Sequence, residues 1–504
     1  MPGYIHHIQW CVSDLQATLD KMINSFGFRQ TFLRVGANTE TVIESGSARF
    51  LISQRGCNTQ STPGTGLISE CTPDTGLSSE LTPGSGLSSE PTPGACISSE
   101  LTPGTTSNSE YPWLSCKCRA EKIHTVDSVF NICLEVGDVD AVYKRMIQNG
   151  SISHNSPTTV RSKDGEIRVA VVSSPCPNVI HSIVNTEGFS GGFLPGFTPV
   201  GPGDRLEPDL GVDLSIDHVT YVCNVGGSQN ILSWYNQCCG MERFMVNAED
   251  DPEAGIQIKD EAGMRMMVGE WLSEWMCREE GVSWEQRGGD DTRNFKLVLA
   301  EPLPDHEHSH VYKFIQEHDG PGLQHIGLLT QDIIKTVSTM KTHGARFRTP
   351  PPTYYTLENK KEDIISVGSD PTVFQDLGIL IDKEPGCEIE KGNSLYILQI
   401  FSHPLFIKDT FFLEAIQRHG SRGFGAGNIR ALAQSIIELA RLKEIQEKED
   451  KNQEKEDKNQ EKEDKNQEKE EKNQEKGEKN QENVEKYLRT ENELCREEEE
   501  RGKA

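Results

Sequence analysis

Four times along the chain, an apolar stretch of strand length runs into a helical pattern and then a glycine-containing exit. The four segments are IHHIQWCVSDLQATLDKMINSFGF from Ile5, VFNICLEVGDVDAVYKRMIQNG from Val129, SIDHVTYVCNVGGSQNILSWYNQCCGM from Ser215 and GLQHIGLLTQDIIKTVSTMKTHGA from Gly322. In each, the hydrophobic period changes from that of a strand to that of a helix across a short turn. Strand-like segments follow, among them RVAVVSS (Arg168 to Ser174), GMRMMVGE (Gly263 to Glu270) and NSLYILQIFSHP (Asn393 to Pro404). The pattern predicts an α+β protein of four βαβββ modules paired into two double-module domains. Two curled sheets of this kind can enclose a cavity.

Two low-complexity stretches interrupt the pattern. A ten-residue unit recurs from Ser61 to Glu110, rich in Thr-Pro-Gly and Ser-Ser-Glu, with turn chemistry and too little apolar surface to offset ordering entropy. It is expected to be a disordered insertion, spanning 57–127, between the strands ending in ARFLISQRG and beginning in SVFNICLEV, read as neighbours. From Lys443 to Ala504 KNQEKED units repeat every seven residues without apolar a and d positions, which argues against a coiled coil and for a solvated tail. The expected domains are 1–199, 200–442 and the charged tail 443–504.

Charge and cysteine usage then exclude function classes. The 504 residues carry a net charge of −27, of which −6 lies in the repeat tract and −7 in the tail, leaving −14 on 392 residues. Such a chain has no electrostatic footprint for nucleic acid. No run of about 18 apolar residues suggests a membrane span, and the opening MPGYIHHIQWCVSD resembles neither a secretory signal nor an Arg-rich presequence. The 14 cysteines form no CxxC framework, and Cys116 with Cys118 reads as a pair of reduced thiols. Reduced thiols suit a cytoplasmic or mitochondrial-matrix location.

The chemistry-bearing positions emerge when the modules are set side by side. His7 aligns with His218, and Asn131 with His325, at the same inward point of each first strand. Glu414 lies on the apolar strand of DTFFLEAIQRHG, where a carboxylate is costly unless paired or bound to metal. Its counterpart in the N-terminal half is read as Asn185. Two imidazoles and one carboxylate on a common face make the facial triad that holds iron(II) with positions open for substrate and dioxygen. His6 and His7 lack such partners and are read as structural. His306, His308 and His310 are assigned to a solvated loop or helix start, and Cys238 and Cys239 to packing.

The segments GFLPGF (Gly192 to Phe197), IDHVTY (Ile216 to Tyr221), GPGLQHIGLLT (Gly320 to Thr330), PPTYY (Pro351 to Tyr355), LQIFSHPLF (Leu398 to Phe406) and FFLEAIQRHGSRGFGAGNIRAL (Phe411 to Leu432) resemble the 4-hydroxyphenylpyruvate dioxygenase family, most of all its dioxygenase-like branch. The resemblance covers residues 1 to 442 apart from the insertions. It implies paired vicinal-oxygen-chelate modules and one Fe(2+) per chain, held by His218, His325 and Glu414. It places Gln324, Gln399, Phe401, Phe412, Phe424 and Ile429 around an aromatic α-keto acid. Asn428 would cap an amphipathic helix carrying Ile429, Leu432 and Ile436, which in the family gates the pocket.

Three departures bear on the product. Homogentisate-forming members carry Asn where this chain has Ala300, Gln where it has His310, and Phe where it has Ile429. An aliphatic residue at 429 resembles the 4-hydroxymandelate synthase branch. The expected activity is therefore conversion of 4-hydroxyphenylpyruvate and dioxygen to 4-hydroxymandelate, a precursor for the ubiquinone head group. Homogentisate formation and a non-catalytic binding role are the alternatives. The resemblance further implies a homo-oligomer and a mitochondrial location, with the cytoplasm as the alternative.

Overall fold

A computed structural model describes residues 4–35, 39–55, 126–201, 210–246, 250–259, 263–270, 296–307, 309–389, 393–421, 423–432, 434–435, 441, 472–492 and 496. The repeat tract, Cys116, Cys118, His308, Ile436 and the KNQEKED units through 471 lie outside the described residues. The chain divides into two units, 1–349 with 376–426, and 350–375 with 427–504.

The first unit holds the strands and leading helices of the four expected modules. The first has β1 (Tyr4–Val12), α1 (Leu15–Asn24), β2 (Arg29–Arg34), β3 (Glu40–Ser45) and β4 (Ala48–Gln54); the second has β5 (Ser128–Glu135), α2 (Val139–Gln148), β6 (Ser153–Ser162), β7 (Gly165–Ser173) and β8 (Ile180–Asn185). A two-residue strand, β9 (Thr198–Pro199), extends the edge beside β2. The third module has β10 (Ser215–Val222), α3 (Gly227–Cys239), β11 (Glu242–Phe244), β12 (Ile256–Ile258), β13 (Met264–Glu270) and β14 (Lys296–Pro302), followed by α4 (His310–Glu317). The fourth begins with β15 (Gly322–Leu329) and α5 (Ile333–Thr342), passes through the short helices α6 (Pro352–Thr356), α7 (Glu358–Ser366) and α8 (Pro371–Leu377), and closes with β16 (Leu380–Ile389), β17 (Asn393–Phe401) and β18 (Phe412–His419).

Three of the four leading helices start in the same way for the same reason. Asp14, Asp138 and Asp332 stand in extended backbone just after a strand, and each carboxylate accepts the backbone N–H three residues on, at Ala17, Ala141 and Lys335, over 2.9 Å. The fourth, α3, has no side-chain cap and turns in through Gly226, whose φ of 78° is left-handed.

Among the described residues both sheets have nine strands, and their centres are equivalent. β1 pairs antiparallel with β5 and is flanked in parallel by β4, while β8 runs parallel to β5. In the other sheet β10 pairs antiparallel with β15, with β14 and β18 as the parallel flanks. The repeat tract thus joins β4 to β5, which sit on opposite sides of β1 and do not pair, unlike the neighbouring strands expected from sequence.

The two sheets share apolar and polar contacts within the first unit. Trp10 packs on Phe50 at 4.7 Å and on Phe411 at 5.1 Å. The buried His181 donates from Nδ1 to the Ile132 carbonyl and accepts at Nε2 from the Tyr235 hydroxyl, which in turn lies 3.1 Å from that of Tyr221. In the second unit, Asn428 lies inside the first turn of a helix over 426–432 rather than capping it. Its Oδ1 accepts the Tyr354 hydroxyl at 2.8 Å, and a carbonyl at Ser435 accepts that of Thr353. Residues 472–492 are helical and exposed, in keeping with an apolar-poor sequence.

Candidate metal centre

His218, His325 and Glu414 come from three consecutive strands, β10, β15 and β18, and the register brings them to one point. Gly327 pairs with His218 on one side and Glu414 on the other, and His325 pairs with Thr220 and Phe412. His218 and Glu414 are 3% exposed, which an isolated charge could not tolerate. The Nε2 atoms of His218 and His325 lie 3.2 Å and 3.5 Å from Glu414 Oε2. Two donors bound at about 2.1 Å to one ion at near-right angles are about 3 Å apart, so the spacing suits a shared cation.

The surrounding hydrogen bonds fix how each ligand presents itself. His218 Nδ1 donates to Asp217 Oδ2 at 2.8 Å, which leaves Nε2 facing Glu414. Asp217 is gripped by the Arg418 guanidinium through two 2.7 Å bonds. Arg418 also donates to the Gly423 carbonyl at 2.6 Å and stacks its cation 4.8 Å over the Phe424 ring. Phe424 in turn meets His218 edge-on at 5.3 Å, closing a loop of contacts back to the ligand. His325 Nδ1 donates to Gln324 Oε1 at 3.2 Å, so its Nε2 accepts the Thr220 hydroxyl and faces Glu414. Gln399 Nε2 donates to Glu414 Oε1 at 3.1 Å.

Electrostatics agree with a cation-ready site. Burial opposes charge on His218, yet the Glu414 and Asp217 carboxylates outweigh it and raise its pKa. His325, buried beside His218, is held well below the ordinary imidazole value and stays neutral. Burial works against the Asp217 carboxylate, but Arg418 and Lys296 overcome it and hold the group well into its charged form. A bound cation would give the buried Glu414 side chain an opposite charge at the point where the two imidazole nitrogens also converge. The donor set therefore fits a divalent iron ion.

Aromatic side chains wall the same point. Phe412 stacks on His325 at 4.8 Å, Phe401 lies 6.0 Å from Phe412 and 6.3 Å from His325, and Phe244 lies 6.4 Å from Phe424. Of the pocket residues expected from sequence, Gln324, Gln399, Phe401, Phe412 and Phe424 converge here. Ile429 lies half-buried in the second unit, on the helix over 426–432. The other candidates hold as expected: His306 bonds the Pro304 and Lys259 carbonyls, His310 opens α4 behind its Ser309 cap, and Cys238 and Cys239 are buried.

The N-terminal half keeps the frame without the triad. His7 and Asn131 occupy the positions of His218 and His325, as the sequence indicates. The counterpart of Glu414, however, is Ser182, because Cys133 pairs with Ser182 as Gly327 pairs with Glu414. Asn185 lies three residues further on, where its amide donates to the Val136 and Gly137 carbonyls. Asn131 donates to Ser182 and Gln9 instead of binding an ion. Asp217, Arg418 and Gly327 were missed from sequence: the Asp-His neighbours offered a signal, but Arg418 lies 201 residues from its partner.

Residues 215–360 match the family model described as Glyoxalase/Bleomycin resistance protein/Dioxygenase superfamily. The chain is 35% identical over 322 residues to the 4-hydroxyphenylpyruvate dioxygenase-like protein of Rattus norvegicus, covering 63% of this chain and 79% of that one. The chain belongs to the 4-hydroxyphenylpyruvate dioxygenase family. Within that family it is also 30% identical over 316 residues to the 4-hydroxyphenylpyruvate dioxygenase of Dictyostelium discoideum, covering 62% of this chain and 77% of the relative. A solved structure of a mutant 4-hydroxymandelate synthase from Streptomyces coelicolor shares the fold, with a TM-score of 0.55 at 19% identity, over 86% of this chain and 98% of that one. The family assignment and the paired vicinal-oxygen-chelate architecture expected from sequence both stand.

Proposed function

We propose that this member of the dioxygenase family is an iron(II) enzyme converting 4-hydroxyphenylpyruvate and dioxygen to 4-hydroxymandelate and carbon dioxide. The observation that carries the proposal is the convergence of His218, His325 and Glu414 in a buried, aromatic-walled pocket. Bound by those three side chains, one iron(II) per chain would supply dioxygen activation and chelation of the α-keto acid. The protein's own contribution is positioning. Asp217 and Arg418 hold the His218 ring, Gln399 holds Glu414, and Phe401, Phe412 and Phe424 exclude water and offer flat surfaces to an aromatic substrate. The amides of Gln324 and Gln399 supply the polar contacts that orient it.

The product reading rests on Ile429, which replaces the Phe of homogentisate-forming relatives. 4-Hydroxymandelate would then feed synthesis of the ubiquinone head group, with the mitochondrial matrix as the place of reaction. The two candidate products are isomers of equal mass, so chromatographic retention and proton NMR must separate them. Full-length protein loaded anaerobically with iron(II), then given substrate and oxygen, is expected to release carbon dioxide and 4-hydroxymandelate. Homogentisate as sole product would overturn the product reading alone. Absence of turnover, with no visible absorption when the keto acid is added without oxygen, would favour a binding role. His218→Ala is expected to abolish both signals.

A further inference from the structure

Among the described residues, two groups bring three metal-donor atoms within 4.8 Å of one another: the triad above, and His6, His7 and Cys133 in the other sheet. His7 and Cys133 are direct cross-strand partners on β1 and β5. His7 and Cys133 are fully buried, and His6 is 8% exposed. The thiol sits in an apolar cluster with Val42, Leu51, Val171 and Phe193, and Phe193 packs 5.0 Å from the His7 ring.

The group is not a copy of the first centre. Cys133 stands at the position of Gly327, where a Cβ would come within 2.2 Å of the His218 ring, so the thiol takes the room that ring uses in the other half. The donor set thereby changes from two imidazoles and a carboxylate to two imidazoles and a sulfur.

The convergence of donors points to a ligand. One donor atom from each of the three side chains lies within 4.8 Å of the others, in a pocket otherwise apolar. The Nδ1 atoms of His6 and His7 are 2.8 Å apart, and two nitrogens on one three-coordinate ion stand about 3.4 Å apart, so a small parting of the rings admits the ion. Burial, helped by Arg49, also keeps both rings neutral, the form that ligates.

We propose that His6, His7 and Cys133 form a second metal site that binds copper(I). Sulfur and imidazole donors select soft ions, and three donors in apolar surroundings suit copper(I) better than zinc, whose closed sites take four. Charge argues the same way: two neutral imidazoles and one thiolate cancel a monovalent ion, whereas a divalent ion would leave a buried positive charge near Arg49. Binding forms one S–Cu bond and two N–Cu bonds, the thiol proton leaves to solvent, and no electron is transferred.

The test is anaerobic titration of the full-length His218→Ala protein with copper(I) buffered by a chromophoric chelator, so that the triad cannot compete. One tightly held equivalent is expected, with X-ray absorption showing one sulfur and two nitrogen neighbours. Cys133→Ser in the same background should lose that equivalent while its circular dichroism matches the parent. A His7→Gln variant, tested in parallel, should lose it too. Failure of the folded parent to retain copper(I), uptake unchanged by Cys133→Ser, or a sulfur-only shell would overturn the proposal. None of these outcomes depends on dioxygenase activity.

Discussion

The His218 ring is held from three sides, by the Asp217 carboxylate at Nδ1, the Phe424 edge, and the bare backbone of Gly327. Each restraint yields a measurable outcome. Asp217→Asn keeps the shape but removes the charge that sets ring basicity, so iron affinity is expected to weaken about 10–100-fold. An anaerobic iron titration with thermal melting as a fold control checks it; unchanged affinity would remove Asp217 from the positioning role. Gly327→Ala puts a methyl group into the ring's place, 2.2 Å from Cε1. Loss of stoichiometric iron with retained secondary structure is the expected result, read by metal analysis and circular dichroism. The three candidate ligands were legible in the sequence, since charge-bearing groups on apolar strands are costly without a partner. Gly327 was not, because its necessity arises only when a ring from another strand lies over it.

At the scale of elements, local chemistry was largely readable. Aspartate after a strand and before a helical period announces an N-cap, and the structure has it at Asp14, Asp138 and Asp332. Asp332→Ala is expected to cost about 1 kcal/mol, seen as a lower denaturation midpoint with iron affinity unchanged. Two readings failed at this scale for a common reason. Spacing along one strand or helix alone points to Asn185 as the counterpart of Glu414 and to Asn428 as a cap, and neither holds. In the structure the first depends on register with β5, and the second on a hydroxyl from Tyr354, 74 residues away. A side-chain period locates a face, whereas the row along that face is set by the neighbour.

For the whole molecule, the buried histidines joining or filling the sheets make stability depend on pH. Burial lowers the His181 pKa from about 6.5 to about 4, against a weaker opposing bond to the Ile132 carbonyl, and lowers that of His6 to about 3. The folded state thus resists protons that the unfolded chain accepts below about pH 6.5. Stability is full above that pH and falls as pH drops towards 4, with His181 alone accounting for about 2 kcal/mol at pH 5. Denaturant midpoints between pH 7.5 and 5 should fall accordingly, and His181→Gln should flatten the slope; an unaltered slope would show that His181 does not carry it.

The sequence by itself determined the four modules, the membership of the family and the three polar residues proposed to hold iron, because each is written in local period or in a residue type costly to bury. Tertiary structure decided which residues face one another. Strand register put Arg418 on Asp217, cleared a glycine-sized space for His218, and in the other sheet filled the same space with the Cys133 thiol beside His6 and His7. Such cross-strand neighbours lie more than a hundred residues apart along the chain. No pattern along one strand encodes them, since pairing energy is shared between two chains of side chains that meet only on folding.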